Sequence, residues 1–94
     1  MSEIVVAANW KMNKTVSESD KLIKEILKNI PAINSVTCVI FPPFLSIPSA
    51  AGLIESTSIK LGSQNMHSSQ NGAFTGEVSA LMLQDFCSYV LLGH

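Results

Sequence analysis

Four short apolar runs separated by helix-like segments predict an α/β domain built on a parallel sheet. Three observations carry that expectation. The runs "IVVAAN" (4–9), "VTCVIF" (36–41) and "YVLLG" (89–93) are rich in β-branched or bulky apolar residues and alternate little, as strands covered on both faces do. The segments between runs have the lengths of successive crossover connections. The composition is that of a core: 47% of residues are hydrophobic, mean hydropathy is +0.33, and 14% are charged, against a typical ~25%.

After the first run, "TVSE" offers a capping box, with Thr15 as N-cap and Glu18 three residues on. Leu22, Ile23, Ile26, Leu27 and Ile30 then share one helical face, while Lys21, Lys24, Glu25 and Lys28 form a solvated one. Pro31 is the expected stop. Between the second and third runs, "SIPSAAGLIES" reads as a second helix, with Ser46 as cap and Pro48 in the first turn; Gly52 weakens it. The third run, "IKLGSQ" (59–64), is the exception in polarity, carrying Lys60 and Ser63. Before the fourth run, "SALMLQDF" is a short helix capped by Ser79. The order β-α-β-α-β-α-β implies right-handed crossovers in one parallel sheet. Residues 1–94 read as one domain without internal boundary, repeat or low-complexity linker.

One connection breaks the short-loop norm. Residues 65–78, "NMHSSQNGAFTGEV", are polar and contain an Asn71-Gly72 turn signal. Loops of this length without regular structure are usually functional or disordered. Phe74 and Val78 favour a loop that packs on something, and His67 within it reads as exposed.

Several classes are excluded. Six dispersed lysines, no arginine and a net charge of −1 do not make the clustered basic face that nucleic acid demands. No run approaches the ~20 apolar residues of a membrane span, and "MSEIVV" is no signal peptide; a soluble, cytoplasmic protein is expected. Cys38 and Cys87 form neither a disulfide framework nor a zinc motif and read as small buried hydrophobes. His67 and His94 lack metal-ligand spacing, so no metal is expected.

In parallel α/β folds, ligands collect where strands end. Asn9 and Lys11 follow the first run, "FPP" the second, Gln64 and Asn65 the third, Gly93 and His94 the fourth. A lysine, amides and an imidazole on one rim suit a small anionic substrate. Taken singly, each has a plainer reading: a lysine past a strand is most often solvated surface, and a lone histidine is most often structural. No G-x-G-x-x-G or Walker pattern follows the first run, and "NWKMNK" has no glycine. A phosphate held there would be gripped by a side chain, not cradled by backbone.

The motifs "ANWKMN", "FPPF", "LGSQNM" leading into "GAFTGEVS", and "VLLGH" together resemble the amino-terminal part of the triosephosphate isomerase family, in that family's order and spacing. The resemblance implies the N-terminal half of a TIM (β/α)8 barrel, a fold of about 250 residues. It implies interconversion of dihydroxyacetone phosphate and D-glyceraldehyde 3-phosphate in glycolysis and gluconeogenesis, without a cofactor. By motif, Asn9 and Lys11 would contact substrate, and Lys11 would balance the phosphate and enediolate charge. His94 would be the electrophile; in this family it is held neutral by a helix N-terminus, with a glutamate as base, both being the family's own assignments. The long loop, with Asn65, Phe74, Thr75, Gly76 and Glu77, would cross a two-fold interface of a homodimer.

The resemblance stops with half a barrel. The family's glutamate base, lid and phosphate loops lie beyond the fourth strand, and Glu3, Glu18, Glu25, Glu55 and Glu77 do not correspond to that base. The 94 residues alone are expected to be inactive and to need the other half-barrel or self-association, because four strands leave two open edges. Two other readings stay open: a self-assembling half-barrel scaffold, and a small doubly wound α/β module binding a phosphorylated ligand at Lys11.

Overall fold

The computed structural model describes residues 4–30 and 35–94; Glu3 and the proposed stop at Pro31 lie outside the described residues. Strands and helices alternate as β1 (Ile4–Asn9), α1 (Val16–Asn29), β2 (Val36–Phe41), α2 (Ile47–Ile54), β3 (Lys60–Ser63), α3 (Ala80–Leu83) and β4 (Tyr89–Val90). A 3₁₀ turn, Phe44–Ser46, leads into α2. The sheet order is β1-β2-β3-β4, and every pairing is parallel. Each strand therefore lies beside the next in sequence. A doubly wound sheet needs a reversal of strand order, and among the described strands there is none, which removes the doubly wound alternative.

Helix α1 begins as its capping box dictates. Thr15 N–H donates to Glu18 Oε1 at 2.9 Å, and Glu18 N–H donates to Thr15 Oγ1 at 3.2 Å. Ile23 is fully buried, Leu22, Ile26, Leu27 and Ile30 are half-buried, and the lysine-rich face is exposed. An exposed Glu25–Lys28 pair at 3.7 Å contributes little there. Ser46 departs from its expected role: it precedes α2 but makes no capping bond. Its hydroxyl donates instead to the buried Ser19 Oγ of α1 at 3.1 Å. Ser49 Oγ likewise donates to Asp20 Oδ1 at 2.7 Å. These two bonds satisfy hydroxyls removed from water where α1 crosses α2. Ser79 does cap α3, accepting from Met82 N–H at 3.4 Å.

The core cluster joins Ile23, Ile40, Ile47, Ala50, Ile54, Ile59 and Leu61, so it lies between the helices and the middle of the sheet. On the other face Phe41, itself 3% exposed, lays its ring over Gly62; a Cβ at Gly62 would overlap that ring. Gly62 thus lets β2 carry a large aromatic beside β3. The strands are not all covered on both faces, contrary to the pattern of the runs. Ile4, Val5 and Val6 of β1 are 60%, 51% and 51% exposed, because β1 is an edge strand and only Ala8 of it packs on the core. The two cysteines are half-buried, and burial pushes the Cys87 thiol up from its ordinary value.

The third strand is shorter than its run, and its length limits the fourth. Ser88 N–H donates to Leu61 O at 3.0 Å and Leu91 N–H to Ser63 O at 2.8 Å, so pairing ends where β3 ends. The loop at 65–78 is folded on itself. His67 N–H donates to Val78 O at 2.8 Å, His67 Nδ1 accepts from Ser69 N–H at 3.0 Å, and the His67 and Phe74 ring centroids lie 4.2 Å apart. His67 is therefore half-buried and not simply exposed.

Replacing Thr15 by Ala should cost about 0.5–2 kcal/mol of stability, read from the denaturant midpoint. The Thr15 backbone hydrogen bond, first among its causes, holds the Glu18 carboxyl below its ordinary pKa. A lowered folded pKa gives stability that is present above the unfolded value and lost as pH falls through the folded one. Thr15→Ala keeps that backbone N–H, so the acid-sensitive part should persist in it, whereas the gap between wild type and Glu18→Gln should narrow in acid.

Candidate active site at the strand ends

Because all pairings are parallel, the carboxyl ends of β1 to β4 lie on one edge of the sheet. At that edge Asn9 is in register with Phe41, and Trp10 N–H adds a further rung to Phe41 O at 3.1 Å. The chain then turns at Lys11, whose φ is +55°. A residue with a Cβ pays roughly 1–2 kcal/mol for the left-handed region, and no glycine relieves it here. Side-chain amides hold the turn. Asn9 Oδ1 accepts from Lys11 N–H at 2.9 Å, a local turn of the kind asparagine favours. Asn13 Nδ2 donates to Trp10 O at 2.8 Å. From just past β3, Gln64 Nε2 donates to Lys11 O at 2.8 Å and to Phe41 O at 2.7 Å.

The sequence marks Asn9, Lys11, Gln64, Asn65 and His94 as rim residues; Asn9, Lys11, Gln64 and Asn65 lie within two residues of a strand end, and His94 lies four residues past β4. It joins Asn9, Lys11 and Gln64 directly, through backbone atoms of Lys11. Lys11 is exposed, so its ammonium is open to an incoming anion. His94 follows Gly93, whose φ is +74°. No hydrogen bond links it to Lys11 or Asn9 among the described residues. Asn65 is exposed beside β3, its backbone tied to Ser63 Oγ, which donates to Asn65 O at 2.6 Å.

The loop residues form a separate feature. Glu77 N–H donates to Phe74 O at 3.0 Å with Gly76 at φ +85°, a turn of the type that needs glycine at its third position. It presents Thr75 at an exposed tip, with Glu77 also exposed and Phe74 held by His67. What the sequence did not disclose is the bridge made by Gln64. An amide just past a strand was the only signal, and its partners lie 23 and 53 residues away.

Among the described residues no cluster of three His, Cys, Asp or Glu could hold a metal ion, and no helix is long and apolar enough to cross a membrane. Comparison with known proteins identifies the arrangement. The sequence profile for triosephosphate isomerase matches residues 4–94. The chain belongs to the triosephosphate isomerase family. Its relatives include the triosephosphate isomerase of Dehalococcoides mccartyi, 43% identical over 94 residues, which are 100% of this chain and 37% of the relative. That of Aquifex aeolicus is 47% identical over 91 residues, 96% of this chain and 37% of the relative. That of Dictyoglomus thermophilum is 45% identical over 95 residues, 100% of this chain and 38% of the relative. The chain thus spans under two fifths of the length of the triosephosphate isomerases it matches. Its four strands, taken in sequential order, are the N-terminal half of a TIM barrel.

Lys11→Gly should be more stable than Lys11→Ala by about 1–2 kcal/mol, because glycine adopts a left-handed backbone without the Cβ penalty. Paired urea denaturation curves measure this. Equal stability would mean that the turn at Lys11 is not left-handed.

Proposed function

We propose that this chain carries one side of a triose-phosphate isomerase active site. The observation that supports it most is an exposed lysine held out at the strand-end edge by amide hydrogen bonds, in a chain whose relatives are triosephosphate isomerases. In this reading dihydroxyacetone phosphate and D-glyceraldehyde 3-phosphate interconvert through an enediolate, without a cofactor, in cytoplasmic glycolysis and gluconeogenesis. The Lys11 ammonium offsets the phosphate dianion and the charge that grows on the enediolate oxygens. Asn9 contacts substrate and fixes the backbone of Lys11. His94 donates a hydrogen bond to the carbonyl oxygen.

Removing the proton from the carbon beside the carbonyl requires a positioned base. The described acidic residues belong to other elements, and none directly follows a strand: Glu18 lies in the capping box, Asp20 and Glu25 in α1, Glu55 at the end of α2, Glu77 in the loop turn and Asp85 after α3. The base therefore comes from outside residues 1–94, in the remainder of the barrel. Thr75, at the tip of the loop bearing Asn65, Phe74, Gly76 and Glu77, reaches toward the second subunit of a homodimer. Residues 1–94 make a single partial-barrel domain in this reading.

Continuing residues 1–94 with the remainder of the Aquifex aeolicus relative should give an active isomerase. In it, Lys11→Ala and His94→Ala should each lower kcat/KM by roughly 10²–10³-fold, the scale for losing one donor to a developing oxyanion. Unchanged kinetics in Lys11→Ala would sink the proposal. The 94 residues by themselves should exchange no substrate proton above a Lys11→Ala control.

Exposed apolar residues along β1 and at Leu92, 65% exposed, favour association of these 94 residues when prepared alone. Sedimentation should show oligomers, or a complex with the other half-barrel supplied in trans. A stable, compact monomer would overturn this.

A further inference from the structure

We propose that Gln64 is a positioning residue for Lys11, acting through the Lys11 backbone and never touching substrate; the proposal rests on the reading of Lys11 as the anion-binding side chain. Three observations support it. Lys11 has a left-handed backbone although it has a Cβ, so its conformation needs support from outside its own peptide. Both of its backbone polar groups have side-chain partners: the N–H donates to Asn9 Oδ1 at 2.9 Å, and the carbonyl accepts from Gln64 Nε2 at 2.8 Å. The Asn9 bond is local and would follow the turn if the turn moved. The Gln64 bond comes from the residue that follows β3, 53 positions along the chain.

The same nitrogen also donates to Phe41 O at 2.7 Å. An amide nitrogen carries two hydrogens, so one –NH2 group satisfies both carbonyls. Both acceptors are carbonyl oxygens, which fixes the amide's orientation: the flipped form would set oxygen against oxygen. Phe41 is buried in the central strand β2. Gln64 therefore ties an exposed, strained turn to the most fixed backbone near it. The amide decides in which direction the Lys11 side chain leaves the sheet edge. Glutamate or methionine at this position would keep the reach and lose both donors.

The test is a double-mutant cycle in the completed barrel described above, with wild type, Gln64→Met, Lys11→Ala and the double variant assayed for kcat and KM. Gln64→Met should raise KM and lower kcat/KM by roughly tenfold to a hundredfold, the scale of a misplaced catalytic group. In the Lys11→Ala background the same change should have almost no further effect, because there is no ammonium left to position. A Gln64→Met variant that matches wild type, while Lys11→Ala is impaired, overturns this inference and leaves the proposed function standing. Effects that multiply in the double variant also overturn it, because they mark a merely structural role. If Lys11→Ala itself is neutral, the functional reading has failed, and this inference with it. A second readout does not depend on turnover. In the 94-residue chain, the three-bond HN–Hα coupling and carbon shifts of Lys11 should move in Gln64→Met toward those of ordinary extended backbone. A Lys11 backbone unchanged by the substitution overturns the proposal whatever the kinetics.

Discussion

The carbonyl of Phe41 accepts two hydrogen bonds, one from Trp10 N–H at 3.1 Å and one from Gln64 Nε2 at 2.7 Å. Everything at the candidate site depends on that atom, because it joins the ends of three strands at one point. Its position is secured by packing. The Phe41 ring is buried over Gly62, and Ile40, next to it in the strand, is buried in the helix-side core. A central strand anchored on both faces can carry polar groups at its tip without shifting. The parallel register then brings Asn9 alongside, and the chain has only to turn once to present Lys11.

That turn is built from amides, and the choice has a physical consequence. A glycine turn would be free of Cβ strain, and its bare backbone N–H groups could line an anion. Here the Lys11 N–H is already committed to Asn9, so the backbone at that residue has no donor left for a ligand. In the proposed function, anion binding falls to the ammonium, a point charge on a flexible stem. Its reach can be used only if the stem starts from a fixed place. Strain at Lys11 and hydrogen bonds from Asn9 and Gln64 are two parts of one arrangement.

The same sheet explains the unusual apolarity of so short a chain. One face of its middle strands is filled by α1 and α2, but β1 is left exposed over Ile4, Val5 and Val6. Those residues have the composition of a strand covered on both sides, and these 94 residues supply no such cover. The loop at 65–78, which leaves the sheet after β3, is tied by the bond from His67 N–H to Val78 O and sets Phe74 against the His67 ring. Thr75 stands exposed in the turn between Phe74 and Glu77.

Much of the fold was legible in the residues themselves. The capping box at Thr15 and Glu18, the cap at Ser79 and the extent of β1 and β2 are local features, set by hydrogen bonds within a few residues, and they stand as read. The rim residues were legible too, because in a parallel sheet the residues past each strand must share an edge. Three things only the tertiary structure decided. Ser46 gave up its local cap for Ser19, 27 residues away. The fourth strand closed early because β3 offered no further partners. Lys11 took a left-handed backbone that no single local signal announces, since the group holding its carbonyl comes from 53 residues downstream. Sequence by itself determined which residues follow the strand ends, through pattern and short-range bonding. Their orientation depended on pairings between distant side chains and backbone, and those exist only once the sheet has formed.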